Sequence, residues 1–389
     1  MGAVAAVAKL FALVIAVAAA AAAALIVVPA PTPRLALVAI AASEKSVLIA
    51  AVATVALPLA FLGSRRGRRL PAAVAVVLAV AAIVTSALPI VQARRLASAR
   101  GVRLDMLRYI RAPIDREGPG EPTQTVSYAT INGTPMALDV YLPARRPETP
   151  GRALLIVHGG FWSRGDKGDA PLASRRLADL GFTVFDVQYR TSPQPNWKTA
   201  VGDVKCAIGW VKQHAVTPAW NVDATKIALL GRSAGGHLAL MAAYAPTDPE
   251  LPPSCDDAGD TSVEAVAALY APADLTWGYK NPVRPRISDN RAKLRAFLGG
   301  TPQDAAARYV ALSPVERVTT GSPRTLLAHG GRDQFVSHGH MGLLGARLRA
   351  IGVPCETIFI PYGQHAFDFV VGSLSSQILE AALLDFLRR

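Results

Sequence analysis

A short apolar run, Lys226–Leu230, ends on Gly231-Arg232-Ser233-Ala234-Gly235, and a helical pattern follows at once. Few architectures accept that order. The turn is tight enough to bring neighbouring backbones together, so glycines must flank the central residue. It also sets a serine hydroxyl at the head of a helix, where the helix dipole favours negative charge. Ser233 is therefore the candidate nucleophile, and the Ala234 amide a candidate oxyanion donor.

The surrounding pattern agrees. Gln124–Ile131 and Pro135–Leu142 flank Asn132-Gly133, a hairpin turn signal. Ala153–Val157, Thr183–Val187, Lys226–Leu230, Val263–Tyr270, Arg324–Ala328 and Glu356–Ile360 suit buried parallel strands. Helical patterns separate them at about 171–180, 198–214, 235–245, 341–351 and 374–388. This alternation predicts an α/β fold around a mostly parallel sheet, with residues 124–389 as the catalytic domain. Residues 275–318 are too long for a plain connection and predict a small cap.

Two further segments carry chemistry. His158-Gly159-Gly160-Phe161-Trp162 follows Ala153–Val157, and its glycines leave backbone N–H groups room to face an oxyanion. Gly159 and Gly160 join Ala234 as oxyanion-hole candidates, with His158 read as structural. Asp333 follows Arg324–Ala328, and His365 follows the last strand. Ser, Asp, His is the chain order of the α/β-hydrolase triad. His365 would take the Ser233 proton and return one to the leaving group, and Asp333 would hold the imidazole tautomer. Asp274, after Val263–Tyr270, is the rival acid. His214 reads as a helix-surface residue and His237 as packing near the elbow. His338 and His340 lack a partnering carboxylate cluster, so neither a metal nor a cofactor is expected. Phe161, Trp162, Tyr189 and Trp277 are candidate walls of a substrate pocket, weighed against plain core packing, as are Tyr279 and Phe297.

The segments His158–Trp162, Asp186-Val187-Gln188-Tyr189-Arg190 and Gly231–His237 resemble those of carboxylesterases related to hormone-sensitive lipase and of bacterial feruloyl-esterase-like (BD-FAE-type) hydrolases. The resemblance covers about 124–389. It implies an α/β-hydrolase fold, hydrolysis of small acyl or aryl esters without a metal, and an oxyanion hole from the HGG loop. The chain departs at Phe161, where relatives of hormone-sensitive lipase usually carry a third glycine. Other readings with the same triad are a prenylcysteine-type methylesterase or an amidase. A catalytically inactive binding module is the alternative outside enzymes, and the intact triad argues against it.

The first 92 residues differ from everything after them. Leu10–Pro29 contains no charge, and at 1.5 Å per residue such a run can cross a hydrocarbon core of about 30 Å. Runs at 46–62 and 71–91 follow, so residues 1–92 predict an all-α transmembrane region of about three helices. A cleaved signal peptide is the alternative for the first run alone. Of the net charge of +13, +11 falls in residues 1–112. These basic residues flank the apolar runs, which points to lipid headgroups and away from nucleic acid. Residues 93–123 form a basic juxtamembrane segment, read as an amphipathic helix over 93–110, and then a Gly/Pro-rich linker. The dense basic loop at 64–69 predicts a cytoplasmic side for itself, and the enzyme on the other side. The arginines at 94–111 argue against that placement. Three cysteines match no zinc or redox spacing, and Cys206–Cys255 is the expected pair if the compartment is oxidising. Several spans before the enzyme resemble the layout of actinobacterial Lip-type esterases. The implied substrate is a small or amphiphilic ester, with membrane lipid as a partner.

Overall fold

The computed structural model describes residues 2–64, 69–114, 120–145 and 148–389. Arg65, Arg66, Gly67 and Arg68 of the basic loop, and Gly118-Pro119 of the linker, lie outside the described residues.

The chain divides into two compact units. One comprises Met1–Ala112, Gly330–Gln334 and Ile360–Ala381; the other comprises Pro113–His329, Phe335–Phe359 and Ala382–Arg389. In the first, α1 (Gly2–Val27), α2 (Pro33–Glu44), α3 (Ser46–Ser64), α4 (Leu70–Ala99) and α5 (Met106–Arg111) follow in order. Three of these helices are long and apolar enough to cross a membrane: Val4–Val27, Ser46–Gly63 and Leu70–Ala99. Their mutual contact is built from alanine. Ala12, Ala16, Ala19 and Ala23 of α1 meet Ala53, Ala56 and Ala60 of α3 and Ala72, Ala75, Ala79 and Ala82 of α4. Spacings of three and four place these residues on one helical face, and a methyl group lets backbones approach closely.

Two boundaries differ from the sequence reading. The third long apolar helix continues to Ala99, so the basic helix expected over 93–110 is split. Gly101, at φ +66°, ends α4, and the Asp105 side chain caps α5 by accepting from Arg108 N–H at 2.9 Å. Ahead of the second span, Thr32 caps a separate helix, α2, which has Pro33 in its first turn.

In the second unit, β1 (Gln124–Ile131) and β2 (Thr134–Tyr141) form the expected hairpin. Asn132 and Gly133 both take positive φ, as a type I′ turn requires. Next come β3 (Gly151–Val157), α6 (Pro171–Asp179), β4 (Thr183–Val187), α7 (Trp197–His214), β5 (Val222–Arg232), α8 (Ala234–Tyr244) and β6 (Ala265–Leu269). The short helices α9 (Leu275–Lys280), α10 (Asn290–Leu298), α11 (Ala306–Ala311) and α12 (Pro314–Arg317) occupy the stretch expected as a cap. The chain closes with β7 (Arg324–Gly330), α13 (Gly339–Ile351), β8 (Cys355–Ile360) and α14 (Leu374–Arg388).

The sheet order is β1-β2-β4-β3-β5-β6-β7-β8. β1, β2 and β4 pair antiparallel, and β4-β3-β5-β6-β7 run parallel. The central strands are buried on both faces, which explains their continuous apolar runs. Cys206 of α7 and Cys255 form a disulfide with Cα atoms 5.8 Å apart, and Cys355 is a free thiol.

Candidate active site

Ser233 stands between β5 and α8 at φ 54°, ψ −119°, a conformation that a non-glycine residue adopts only under strain. Two glycines permit it. A Cβ on Gly231 would run into the Gly235 carbonyl, and one on Gly235 into the carbonyls of Val157 and His158. Ser233 N–H donates to Leu269 O at 2.9 Å, which ties the turn to β6. The hydroxyl therefore sits at the head of an eleven-residue helix, where backbone amides and dipole favour an anion.

The His158–Trp162 loop lies beside it. A Cβ on Gly159 would stand 3.2 Å from the Arg232 carbonyl oxygen and 3.4 Å from the Ser233 Cβ, so this backbone runs close beside the elbow. Gly160, Phe161 and Trp162 all take positive φ, at 114°, 58° and 59°. Ser163 and Arg164 donate back to Gly160 O at 3.2 Å, closing the turn. Burial lowers the pKa of the His158 imidazole, and its Nδ1–H donates to Gly159 O at 2.7 Å. Its ring stacks on Tyr189 with centroids 4.1 Å apart. The Tyr189 hydroxyl donates to the carbonyls of His158 and Gly159 at 3.2 and 3.3 Å. His158 and Tyr189 thus brace the loop from behind.

A solvent-open cleft lies in front of Ser233, with Phe161, Trp162, Ala234, Asp274, Lys293 and His340 in its wall. Two expected wall residues are not there. Tyr189 is committed to the loop backbone, and Trp277 packs edge-on against the His340 ring at 4.9 Å. Trp162, which does line the cavity, is held by His237, expected to pack near the elbow, and by Asn196, which local sequence pattern does not mark. Its indole N–H donates to His237 Nδ1 at 3.2 Å, and Asn196 Nδ2 donates to its carbonyl at 2.7 Å. His237 Nε2–H donates in turn to Leu312 O, and burial lowers its pKa to about 4, so it serves as a neutral strut. The rival acid Asp274 caps α9, accepting from Trp277 N–H at 2.8 Å.

Asp333 and His365 meet in the unit that contains the N-terminal helices. His365 Nδ1 lies 2.7 Å from Asp333 Oδ2, with the Asp333 side chain fully buried. Their two loops are laced together by Gly331 N–H to Ile360 O at 2.8 Å and Arg332 N–H to Gly363 O at 2.9 Å. The neighbours of the pair are linked as well. Gln334 Nε2 donates to Gln364 Oε1 at 3.2 Å, and Gln334 Oε1 accepts from Ala30 N–H at 2.8 Å. Arg332 Nη1 donates to Val27 O, an end carbonyl of α1, at 3.1 Å. Farther along, Glu44 accepts from the Ser375 hydroxyl at 3.1 Å, and burial raises its carboxyl to about 7. Asp105 N–H donates to Gln377 Oε1 at 2.7 Å, and Arg108 makes a two-pronged ion pair with Glu380. The end of α1 and the loop after it are therefore hydrogen-bonded to the two residues that flank Asp333.

A mixed, mostly parallel sheet, a strained serine between β5 and the helix after it, and a glycine loop beside that serine define an α/β-hydrolase. The BD-FAE family model matches residues 138–348, more than half of the chain, and the chain belongs to that family. It is similar to Esterase LipC of Mycobacterium tuberculosis, at 32% identity over 254 residues, which are 64% of this chain and 60% of that protein. It is also similar to the probable carboxylic ester hydrolase LipM of the same organism, at 32% over 288 residues, which are 72% of this chain and 63% of that one. The chain thus spans just over three-fifths of the length of these curated relatives. Among solved structures, the thermophilic esterase Est2 of Thermogutta terrifontis with propionate bound aligns at TM-score 0.56 and 27% identity, over 70% of this chain and 94% of that one. The same esterase is also known phosphonylated by sarin, aligning at TM-score 0.57 and 27% identity over 69% of this chain and 95% of that one.

Proposed function

We propose that this chain is a membrane-anchored serine esterase that hydrolyses carboxylic esters through an acyl-enzyme. The reading rests first on the Ser233 elbow with the Gly159–Gly160 loop against it, and the esterase relatives support it. Ser233 Oγ attacks the ester carbonyl while His365 takes its proton, and the oxygen becomes an oxyanion facing the amides of Gly160 and Ala234, with Gly159 beside them. The alcohol leaves with a proton returned from His365. Water, deprotonated by the same imidazole, then attacks the acyl-enzyme and releases the acid. Asp333 keeps Nδ1 protonated and faces the imidazolium charge, the role its 2.7 Å contact supports. Each oxyanion donor of this kind contributes about 3–4 kcal/mol to the transition state.

The proposed layout assigns residues 1–92 to the bilayer, 93–123 to the basic segment and linker, and 124–389 to catalysis, with the cap over 275–318. The three long apolar helices support the anchor. The Cys206–Cys255 disulfide supports an oxidising compartment and with it the proposed placement of the enzyme outside the cytoplasm. Its partners are then membrane lipid and an ester of small or amphiphilic type, not nucleic acid.

Full-length protein in detergent should hydrolyse short-chain nitrophenyl esters, and Ser233→Ala should lose at least a thousandfold in kcat while folding normally. A variant that keeps its activity removes Ser233 from the mechanism. For sidedness, alkaline phosphatase fused after Arg389 should be active and a fluorescent protein dark; the reverse pattern places the enzyme in the cytoplasm.

A further inference from the structure

Among the polar groups lining the cavity beside Ser233, one is an ammonium in an unusual setting. Lys293 lies on α10 within the cap region, half-buried, with its ammonium 3.3 Å from the centroid of the Phe161 ring. Putting an ammonium into a largely apolar wall is costly, and a cap helix needs no lysine there to fold. Burial pushes the Lys293 pKa down to about 8, with the Arg164 charge acting in the same direction and Asp289 against it.

The ammonium is nevertheless held in place. It donates to Ser288 Oγ at 2.6 Å. That hydroxyl donates to Asn290 Oδ1 at 2.7 Å, and Asn290 Nδ2 is fastened to Phe335 O at 2.6 Å. Lysine has three N–H donors. One goes to Ser288 and one side faces the aromatic ring, which leaves a donor for an incoming acceptor. Among the described residues no carboxylate pairs with it. Asp274 shares the cavity wall, but its Oδ1 is taken by Trp277 N–H. The second cation, Arg164, lies over the same Phe161 ring at 5.2 Å. Phe161 belongs to the loop that passes Ser233, so the ring fixes the charge close to the reacting centre. A glycine in place of Phe161 would offer this ammonium no seat.

We propose that Lys293, seated on Phe161, receives an anionic group of the substrate, so that the preferred esters carry a carboxylate or phosphate a few bonds from the scissile carbonyl. This deepens the esterase reading above and rests on it. The anion could belong to the acyl part or to the alcohol part, and the two are separable.

The test uses full-length protein in a nonionic detergent and two matched pairs. 4-Nitrophenyl hydrogen glutarate against 4-nitrophenyl pentanoate places the charge on the acyl side. 1-Butyrylglycerol 3-phosphate against 1-butyrylglycerol places it on the alcohol side. In at least one pair, the anionic-to-neutral ratio of kcat/KM should fall tenfold or more in Lys293→Gln, mainly through KM, and recover in part in Lys293→Arg. The pair that responds identifies the charged side. A ratio that Lys293→Gln leaves unchanged in both pairs overturns the proposal.

A second measurement starts from the wild type. The wild-type ratio should decline from pH 7 to pH 9 as Lys293 loses its proton. Arg164 and Asp289 act on that ammonium by charge, and Asp274 and His340 share its cavity. Loss of the decline in Lys293→Gln assigns it to the lysine, and a flat wild-type profile contradicts the proposal. Failure of the wild type on every ester, with no covalent labelling of Ser233, would sink the esterase reading itself and is distinguishable from a mere loss of anion preference.

Discussion

The two units bury opposite kinds of residue. Inside the N-terminal helices lie alanines, while Val7, Leu10, Phe11, Val52, Phe61, Val77 and Val84 face outward. Inside the second unit lie Leu154, Leu155, Ile156, Val157, Phe185 and Leu229, all at most 1% exposed. The sheet unit hides its large apolar groups, as water demands. The helical unit displays them, which water would penalise and hydrocarbon would not. Hydrophobic burial therefore drives one region, and close backbone approach through small residues the other, on the proposed membrane reading. Composition alone blurs this difference, because both regions are apolar.

The comparison can be broken by substitution. Leu155→Ala removes a fully buried side chain from β3 and should cost about 2–5 kcal/mol, read as a lower midpoint for unfolding of the sheet unit. Ala79→Leu should cost about 1–3 kcal/mol by overpacking the helix contact, where Ala79 is fully buried. Val77→Ala, two residues away and 67% exposed, should lie within about 0.5 kcal/mol in detergent. If Val77→Ala proved as damaging as Leu155→Ala, the outward faces would be packed against protein and the contrast would fail.

A smaller effect joins the helical region to chemistry. Gln334 accepts from Ala30 N–H and donates to Gln364, and these glutamines adjoin Asp333 and His365 in sequence. Gln334→Leu removes both bonds and leaves the Ala30 N–H without its partner. It should lower kcat about tenfold with little change in KM, and Gln334→Glu, which keeps the Ala30 contact, should retain more activity. Equal loss in both variants, together with an unfolding midpoint lowered by as much as the activity, would mean general damage and no positioning role.

Much of this was legible in the sequence for local reasons. Gly231–Gly235 and His158–Trp162 carry their own steric demands, and the Asn132-Gly133 turn needs only its two positive φ angles. The strands were readable because burial on both faces leaves unbroken apolar runs. What escaped depends on partners far apart in the chain. Tyr189 looks like a pocket aromatic until its hydroxyl is seen bonded to the carbonyls of His158 and Gly159. Lys293 carries no local sequence signal, and only the Phe161 ring beside its ammonium marks it. The hydrogen bonds from Val27 and Ala30 to the Asp333 loop cross about three hundred residues, a separation at which no periodicity speaks. The extension of α4 to Ala99 was missed because charged residues after Val91 end the apolar run without ending the helix.

Ser233 is the proposed nucleophile of this fold, and covalent labelling reads that directly. Full-length protein treated with a fluorophosphonate and digested should yield one modified peptide, with the phosphonyl group on Ser233 and none in Ser233→Ala. A label on another residue, or one that persists in a folded Ser233→Ala protein, would contradict it.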